Sequence, residues 1–308
     1  MSTTVEMDET GVAVGTRGVV VMGEIKKMGV VGCGTMGAGI VEVAARAGLD
    51  VLVAVSRPAS EVAGRARLTR SLDKAVRKEK ITEAERDAAL SAVVFTTDLA
   101  DLADRQLVVE ATTEDEDAKL SVFRRIDAVV EAPDAILAST TSSIPISRLA
   151  KVSSRPDHVI GVHFFNPVPA MPLVELIGSL LTDPDVYART EAFVAGTLHK
   201  QPVRSGDRAG FIVNALLIPY LLAGIRMVES GFSSAEDVDK AMTLGCAHPM
   251  GPLALADLIG LDTVSAISTA MYGEFREPHY SPPHLLLRMV DAGLLGRKTG
   301  RGFHIYQP

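Results

Sequence analysis

Three closely spaced glycines after a short apolar run place the strongest constraint on how this chain can fold. Met28 to Val31 leads into Gly32-Cys33-Gly34-Thr35-Met36-Gly37, a helix-like stretch covers Ala38 to Ala47, and a second apolar run covers Asp50 to Val55. A strand, a glycine turn, a helix and a second strand within about 30 residues predict a βαβ unit. The spacing G-x-G-x-x-G permits a tight turn, close approach of a diphosphate and close packing of helix on strand.

The start of this helix offers a site for the diphosphate of a dinucleotide. Its free N–H groups and the helix dipole attract an anion. We therefore expect the cofactor to contact Gly32, Gly34, Thr35, Met36 and Gly37. A turn that serves only packing is the alternative, and the position of the motif between a predicted strand and a predicted helix favours binding.

The apolar pattern divides the chain into two parts. Strand-like runs recur up to about residue 207, at Val93–Phe95, Leu107–Val109, Ile136–Ala138, Val159–Phe165 and Leu173–Ile177, with helical stretches such as Asp115–Val130 between several of them. Beyond that point the patterns are helical, at Phe211–Glu229, Ser234–Leu244, Pro252–Phe275 and Pro283–Ala292. Strands that alternate with helices indicate an α/β fold. We predict a Rossmann-type, doubly wound, mostly parallel sheet over residues 25–207, an all-helical C-terminal domain for substrate and dimer contacts over 208–308, and a flexible extension over 1–24.

Composition excludes several other classes of protein. The longest strongly apolar stretch, Phe211 to Ile225, contains Asn214 and Pro219 and is shorter than the ~20 residues of a membrane span. The net charge of −7 argues against a nucleic-acid binder. Cys33 and Cys246 lie far apart, which excludes a disulfide framework and a cysteine zinc site and fits a reducing cytoplasm. We expect a cytoplasmic protein without a metal.

The end of the second predicted strand bears on cofactor selectivity. Dinucleotide sites for NAD usually carry an acidic residue there, which bonds the ribose 2′-hydroxyl. This chain instead reads Val53-Ala54-Val55-Ser56-Arg57, with no acid before Glu61. A neutral Val55 removes the repulsion of a 2′-phosphate, and Ser56 and Arg57 offer a hydroxyl and a guanidinium. NADP(H) is therefore favoured over NAD(H); the alternative is that Arg57 is only a solvated loop charge.

Further motifs follow in a fixed order along the chain. They are Ser139-Thr140-Thr141-Ser142-Ser143, Gly161-Val162-His163-Phe164-Phe165-Asn166-Pro167, Leu173-Val174-Glu175, Gly210-Phe211-Ile212-Val213-Asn214, His248-Pro249-Met250-Gly251-Pro252 and Gly296-Arg297-Lys298-Thr299-Gly300-Arg301-Gly302-Phe303. From Lys27 to Tyr306 the chain resembles the 3-hydroxyacyl-CoA dehydrogenase family, above all its bacterial 3-hydroxybutyryl-CoA dehydrogenases. Thr140 stands where the family commonly has Asn, so hydrogen bonding near the nicotinamide is expected to differ there.

The resemblance implies a set of catalytic residues. His163 matches the family's catalytic histidine and Glu175 its carboxylate partner, a pair suited to moving the hydroxyl proton of a secondary alcohol. Ser142 and Asn214 match residues that bond the substrate oxygen. Each residue also has a plainer explanation: a bonded core histidine for His163, a helix N-cap for Ser142, and a buried amide bonded within its own helix for Asn214.

The resemblance also implies binding residues. Glu114, Lys119, Asn166 and Lys298 match positions on the nicotinamide side of the cofactor, and surface polar groups are the alternative. Ser71 and Lys78 match positions that contact coenzyme A, with Ser142 also at the substrate. Arg67, Ser71, Lys74 and Lys78 share one face of a predicted basic helix, which would attract coenzyme phosphates. A solvated basic face is the plainer interpretation.

Taken together, the resemblance implies an oxidoreductase that interconverts 3-oxoacyl-CoA and (S)-3-hydroxyacyl-CoA, with acetoacetyl-CoA and 3-hydroxybutyryl-CoA as the expected short-chain pair. It also implies a homodimer through the helical domain, whose apolar helix Phe211–Val228 should be buried. A Rossmann dehydrogenase acting on a free hydroxy acid, and a non-catalytic nucleotide-binding protein on the same fold, are the alternatives.

Overall fold

The computed structural model describes residues 24–306, so nearly all of the predicted extension lies outside the described residues. Eight strands form one sheet: β1 (Lys27–Val31), β2 (Asp50–Ala54), β3 (Val93–Thr96), β4 (Leu107–Glu110), β5 (Ile136–Ser139), β6 (Val159–Phe164), β7 (Leu173–Gly178) and β8 (Gln201–Gly206). Their order is β3-β2-β1-β4-β5-β6-β7-β8. The first six are parallel, and β7 runs antiparallel to β6 and parallel to β8. The predicted mostly parallel Rossmann-type sheet is confirmed.

Helices cover both faces of the sheet and form the C-terminal part. The first part carries α1 (Thr35–Arg46), α2 (Pro58–Arg77), α3 (Glu83–Ser91), α4 (Glu116–Val129), α5 (Ile146–Lys151) and α6 (Pro184–Ala192). The second carries α7 (Val213–Glu229), α8 (Ala235–Gly245), α9 (Pro252–Ile259), α10 (Leu261–Phe275) and α11 (His284–Asp291). Apolar clusters fill each face of the sheet and the space between the C-terminal helices. This confirms the predicted helical C-terminal domain.

Strand β8 carries no apolar signal that the sequence analysis could detect. Its residues read Gln-Pro-Val-Arg-Ser-Gly, and each is exposed or half-buried. The strand lies at the edge of the sheet, and within residues 24–306 it pairs with β7 alone. An edge strand needs no continuous apolar run, because much of its surface faces water.

The predicted helix from Pro252 to Phe275 is wrong as a single element. It breaks between α9 and α10, which meet at 96°. Gly260 stands at the break with a φ of +105°, a backbone conformation that L side chains rarely adopt. Among the described residues, no single helix is long and apolar enough to span a bilayer, and only this bent pair passes that test jointly.

The prediction that α7 is buried all round is also wrong for the single chain. Ile212, just before the helix, is 39% exposed, Leu216 is 72% exposed and Met227 is 39% exposed. With Ala223, also exposed, these residues follow one another at spacings typical of one helix face. An apolar pattern does not distinguish a face that enters the core from a face left for a partner.

Candidate active site

The glycine turn has the geometry that a dinucleotide requires. Gly32 has a φ of +97°, and a Cβ there would stand 2.7 Å from the Ala111 carbonyl oxygen. A Cβ on Gly37 would overlap the carbonyl oxygen of Gly32, so the third glycine allows close packing. A Cβ on Gly34 would meet no atom within 4 Å, because that position faces the open cleft. The turn therefore leaves room for a diphosphate, and the residues present fit a bound dinucleotide.

The cleft beside this turn is a cavity of about 760 Å³ along the carboxyl ends of β1, β2 and β4. These strand ends are where ligands bind in open α/β sheets. Thr35, Met36 and Ser56 line the cavity, whereas Arg57 does not. Arg57 is exposed and precedes the first residue of α2. Its predicted contact with a 2′-phosphate stays a prediction.

His163 and Glu175 form a buried pair at directly opposite positions of the antiparallel strands β6 and β7. His163 Nδ1 lies 2.8 Å from Glu175 Oε2, and the residues are 5% and 0% exposed. Glu175 Oε1 accepts hydrogen bonds from the backbone N–H groups of Ile212 at 3.0 Å and Val213 at 2.9 Å. One carboxylate thus orients the imidazole and accepts hydrogen bonds from the backbone at the N-terminus of α7.

Ser142 lies on the other side of the imidazole. Its Oγ is 3.2 Å from His163 Nε2. Helix α5 begins at Ile146, capped by Pro145, so Ser142 is not its N-cap. The histidine is therefore held at both ring nitrogens, with Nε2 directed toward the Ser142 hydroxyl.

Glu114 fixes the loop that carries Ser142. Its Oε1 accepts hydrogen bonds from Thr141 Oγ1 at 2.6 Å, from the Ser142 N–H at 2.7 Å, and from the Ser143 N–H and Oγ at 3.1 Å. Its role in the structure is thus to hold the loop after β5 beside the loop after β4. Glu114 is exposed, and its predicted contact with the nicotinamide stays a prediction.

Lys119 belongs to a buried ion pair rather than to an open surface. Its Nζ is 2.8 Å from Glu110 Oε2 and 3.5 Å from Glu114 Oε2, and it is 1% exposed. Burial alone would raise the pKa of Glu110, but the ammonium and hydrogen bonds from Ser139 and Thr112 hold this pKa below its ordinary value. The predicted contact of Lys119 with the nicotinamide gains no support from this position.

The remaining predicted residues lie in different places. Asn214 is in the first turn of α7, 8% exposed, and its side chain bonds to no residue that the structure describes, so it is not bonded within its own helix. Asn166 is exposed in the loop after β6. Lys298 pairs with Asp262 at 2.5 Å, within the helical part. Lys298 bonds to no other predicted site residue among those described, and its predicted contact with the nicotinamide stays a prediction.

The predicted coenzyme A face occupies one side of α2 and its end. Ser71 is half-buried, and Lys74 and Lys78 are exposed without an ion pair to any described residue. Arg67, expected on the same face, instead lines the dinucleotide cleft, where its NH1 donates to the Cys33 carbonyl at 2.8 Å.

Sequence reasoning missed two features of the site. Phe165 and Phe211 pack edge-on against His163, with ring centroids 4.7 and 5.3 Å from the imidazole, and shield it from water. Glu110 was also missed, although an acid that ends an otherwise apolar strand is a detectable signal of a buried charge with a cationic partner. A fully buried acid needs such a partner.

A Rossmann-type sheet with a dinucleotide cleft, a buried His–Glu pair at the adjoining strands and an appended helical domain together define a nicotinamide-dependent dehydrogenase. The family models "3-hydroxyacyl-CoA dehydrogenase, NAD binding domain" and "3-hydroxyacyl-CoA dehydrogenase, C-terminal domain" match residues 27–208 and 210–306. The chain belongs to the 3-hydroxyacyl-CoA dehydrogenase family.

Its relatives are similar over nearly their whole length. A 3-hydroxybutyryl-CoA dehydrogenase of Mycobacterium tuberculosis is 58% identical over 282 residues, 92% of this chain and 99% of that protein. The crystal structure of M. tuberculosis FadB2 has a TM-score of 0.91 at 57% identity, covering 92% of this chain and 100% of that one. The (S)-3-hydroxybutyryl-CoA dehydrogenase PaaH1 of Ralstonia eutropha has a TM-score of 0.87 at 44% identity, with the same coverage.

Proposed function

We propose that this chain catalyses the reversible reduction of a short-chain 3-oxoacyl-CoA to the (S)-3-hydroxyacyl-CoA, with acetoacetyl-CoA and 3-hydroxybutyryl-CoA as the preferred pair. The observation that carries this proposal is His163, held between Glu175 at 2.8 Å and Ser142 at 3.2 Å. The names of the similar dehydrogenases support the choice of substrate.

The protein's own groups supply the proton and stabilise the charge. A reduced nicotinamide held at the glycine turn would supply the hydride for C3 of the substrate. Glu175 accepts a hydrogen bond from the Nδ1–H of His163 and stabilises the imidazolium, whose Nε2 gives its proton to the developing alkoxide. Ser142 and the amide of Asn214 donate hydrogen bonds to the same oxygen. In the oxidation, Nε2 takes the proton back.

Replacement of the histidine tests this assignment. His163→Ala should abolish turnover of acetoacetyl-CoA. The dissociation constant for NADPH should stay within about twofold of the wild-type value, because His163 does not line the dinucleotide cleft. His284→Ala, at an exposed histidine that bonds to no described residue, serves as a control. Unchanged turnover in His163→Ala contradicts the mechanism, and cofactor binding without any wild-type reduction would favour a non-catalytic protein.

The acyl carrier is tested with the wild-type enzyme. Coenzyme A is proposed to bind along Ser71, Lys74 and Lys78, whose exposed ammonium groups have no carboxylate partner among the described residues. Acetoacetyl-CoA should therefore be reduced far faster than free acetoacetate, and Lys78→Met should raise the KM for acetoacetyl-CoA alone. Equal rates for the two substrates would favour a hydroxy-acid dehydrogenase.

NADPH is the proposed preferred reductant. Val55, directly after β2, carries no carboxylate that would repel a 2′-phosphate, and Ser56 lines the cleft. Steady-state kinetics with NADPH and NADH on the wild type and on Arg57→Ala check this selectivity. A strong preference for NADH contradicts it.

A second copy of the chain is the proposed partner, in the cytoplasm. The exposed stripe Ile212, Leu216, Ala223 and Met227 on α7 supports an apolar interface, since monomers seldom leave such a surface in water. Light scattering should give the mass of a dimer for the wild type and a lower mass for Leu216→Glu. A wild-type monomer would contradict the proposed homodimer.

A further inference from the structure

The guanidinium of Arg67 lies at the dinucleotide cleft and not on the open face of α2. Its NH1 donates to the carbonyl oxygen of Cys33 at 2.8 Å, and Cys33 is the residue between the first two glycines of the turn. The residue also lines the cavity of about 760 Å³ that starts at this turn. One hydrogen bond thus anchors the side chain, and its other N–H groups remain available to a ligand.

The surroundings of Arg67 favour a phosphate. The residues that line the cavity include two cations, Arg67 and Arg125, and no carboxylate. Arg67 forms no ion pair with a described acidic residue, whereas Arg65 on the same helix pairs with Glu61 at 2.9 Å and stacks on Phe95. Its positive charge is therefore uncompensated in a cleft shaped for an anion.

The neighbouring Cys33 thiol does not neutralise the positive charge of Arg67. Burial raises the pKa of the Cys33 thiol to about 11, against an opposing effect of Arg67. The thiol is therefore neutral at neutral pH and neither pairs with the guanidinium nor repels a phosphate.

We propose that Arg67 is a phosphate-binding residue of the dinucleotide site. The inference rests on the nicotinamide dinucleotide of the proposed function, but not on the proposed acyl-CoA substrate. It removes Arg67 from the coenzyme A face, where the helical spacing alone had put it. The chemistry recognised is a phosphate group, either the 2′-phosphate of NADPH or the diphosphate that NADPH and NADH share.

Direct binding separates these two phosphates. The dissociation constants of NADPH, NADH, adenosine 2′,5′-bisphosphate and ADP are measured by cofactor fluorescence and titration calorimetry. The variants are Arg67→Met, which keeps an apolar stem, Arg67→Lys, which keeps the charge, and Arg65→Met as the matched control. Circular dichroism checks that each variant folds.

Arg67→Met should weaken cofactor binding roughly tenfold or more, the effect of losing a hydrogen bond to a charged group. Weakening confined to NADPH and adenosine 2′,5′-bisphosphate assigns Arg67 to the 2′-phosphate, and equal weakening of NADH and ADP assigns it to the diphosphate. Arg67→Lys should retain part of the affinity, and Arg65→Met all of it.

Unchanged dissociation constants in a folded Arg67→Met variant overturn the proposal, whether or not the KM for acetoacetyl-CoA rises. A wild type that binds NADPH but does not reduce acetoacetyl-CoA would refute the proposed function and leave this inference standing, because the binding measurements contain no substrate.

Discussion

Replacing Lys119 with Met should show how much the free energy of unfolding depends on the ion pair between Lys119 and Glu110, the buried carboxylate at the end of β4. Glu110, 0% exposed, accepts hydrogen bonds from Lys119 Nζ at 2.8 and 3.0 Å, from Ser139 Oγ at 2.6 Å and from the Thr112 N–H at 2.6 Å. Methionine fills a similar volume but carries no charge. The variant therefore keeps the packing and leaves an uncompensated carboxylate in the interior.

The expected loss of stability follows from this arrangement. Removal of one member of a buried ion pair typically costs about 3–5 kcal/mol. The bonds from Ser139 and Thr112 remain and continue to stabilise the carboxylate, so we expect the lower end, about 3 kcal/mol at pH 7. Glu110→Gln/Lys119→Met carries no unpaired charge and should lose less than Lys119→Met alone. Lys74→Met, at an exposed position without an ion pair, should change stability by less than about 0.5 kcal/mol.

The pH dependence has a definite sign. In the wild type the pKa of Glu110 lies below its ordinary value of 4.5, so its stabilising contribution is present above that pH and is lost as the pH falls through the lowered pKa. Without the ammonium, burial dominates and raises this pKa. Acid then protonates the buried carboxyl in Lys119→Met and relieves the penalty, so the stability gap to the wild type should narrow from pH 7 to pH 4.5.

Urea unfolding followed by circular dichroism at pH 7 and pH 4.5 provides the measurement. A gap between wild type and Lys119→Met that stays constant with pH would refute the reasoning. The same conclusion would follow if the double variant were less stable than Lys119→Met, because the penalty would then not come from an unpaired charge.

Four other substitutions test the site. Glu175→Gln should lower kcat roughly a thousandfold with little change in the KM for NADPH, because the amide would face His163 Nδ1 with a donor and could not stabilise the imidazolium; steady-state kinetics check this. Gly34→Ala should have the same melting temperature as the wild type but bind NADPH at least about tenfold more weakly in titrations. Gly37→Ala should have a lower melting temperature, because its Cβ would overlap the Gly32 carbonyl oxygen. Thr140→Val should gain about 1 kcal/mol in urea melts, because the Thr140 hydroxyl is buried without a partner among the described residues; a loss of that size would contradict the expectation.

The sequence predicted the parts of the fold that repeat a local pattern. The buried parallel strands appear as continuous apolar runs, and the glycine turn has a spacing set by its own backbone. It did not predict β8, an exposed edge strand without an apolar run. It also did not predict the break at Gly260, because the apolar helical pattern continues on both sides of the break. The sequence also did not predict the exposed face of α7, since an apolar pattern does not show which helix face packs against the rest of the chain.

For the site, the resemblance supplied the pairing of His163 with Glu175 but not the partners of the other polar residues. His163 and Glu175 were expected near one another on consecutive strands, and the register places them directly opposite. Lys119 and Lys298 were both expected at the nicotinamide, yet one is buried on Glu110 and the other pairs with Asp262. Which acid a lysine meets depends on packing between distant elements, and no local spacing encodes it.

The position of Glu175 explains why the two parts of the chain are needed together. Its Oε2 bonds His163 on the neighbouring strand, while its Oε1 receives the first N–H groups of α7, the helix that also carries Asn214. Gly210 and Phe211 both have positive φ, at 79° and 46°, and this turn brings the helix start to the carboxylate. A displacement of α7 would therefore remove two hydrogen bonds from a buried anion and move the proposed oxygen-binding amide at the same time. Glu175 thus couples the orientation of the imidazole to the position of the oxygen site through one contact between the sheet and the helical domain.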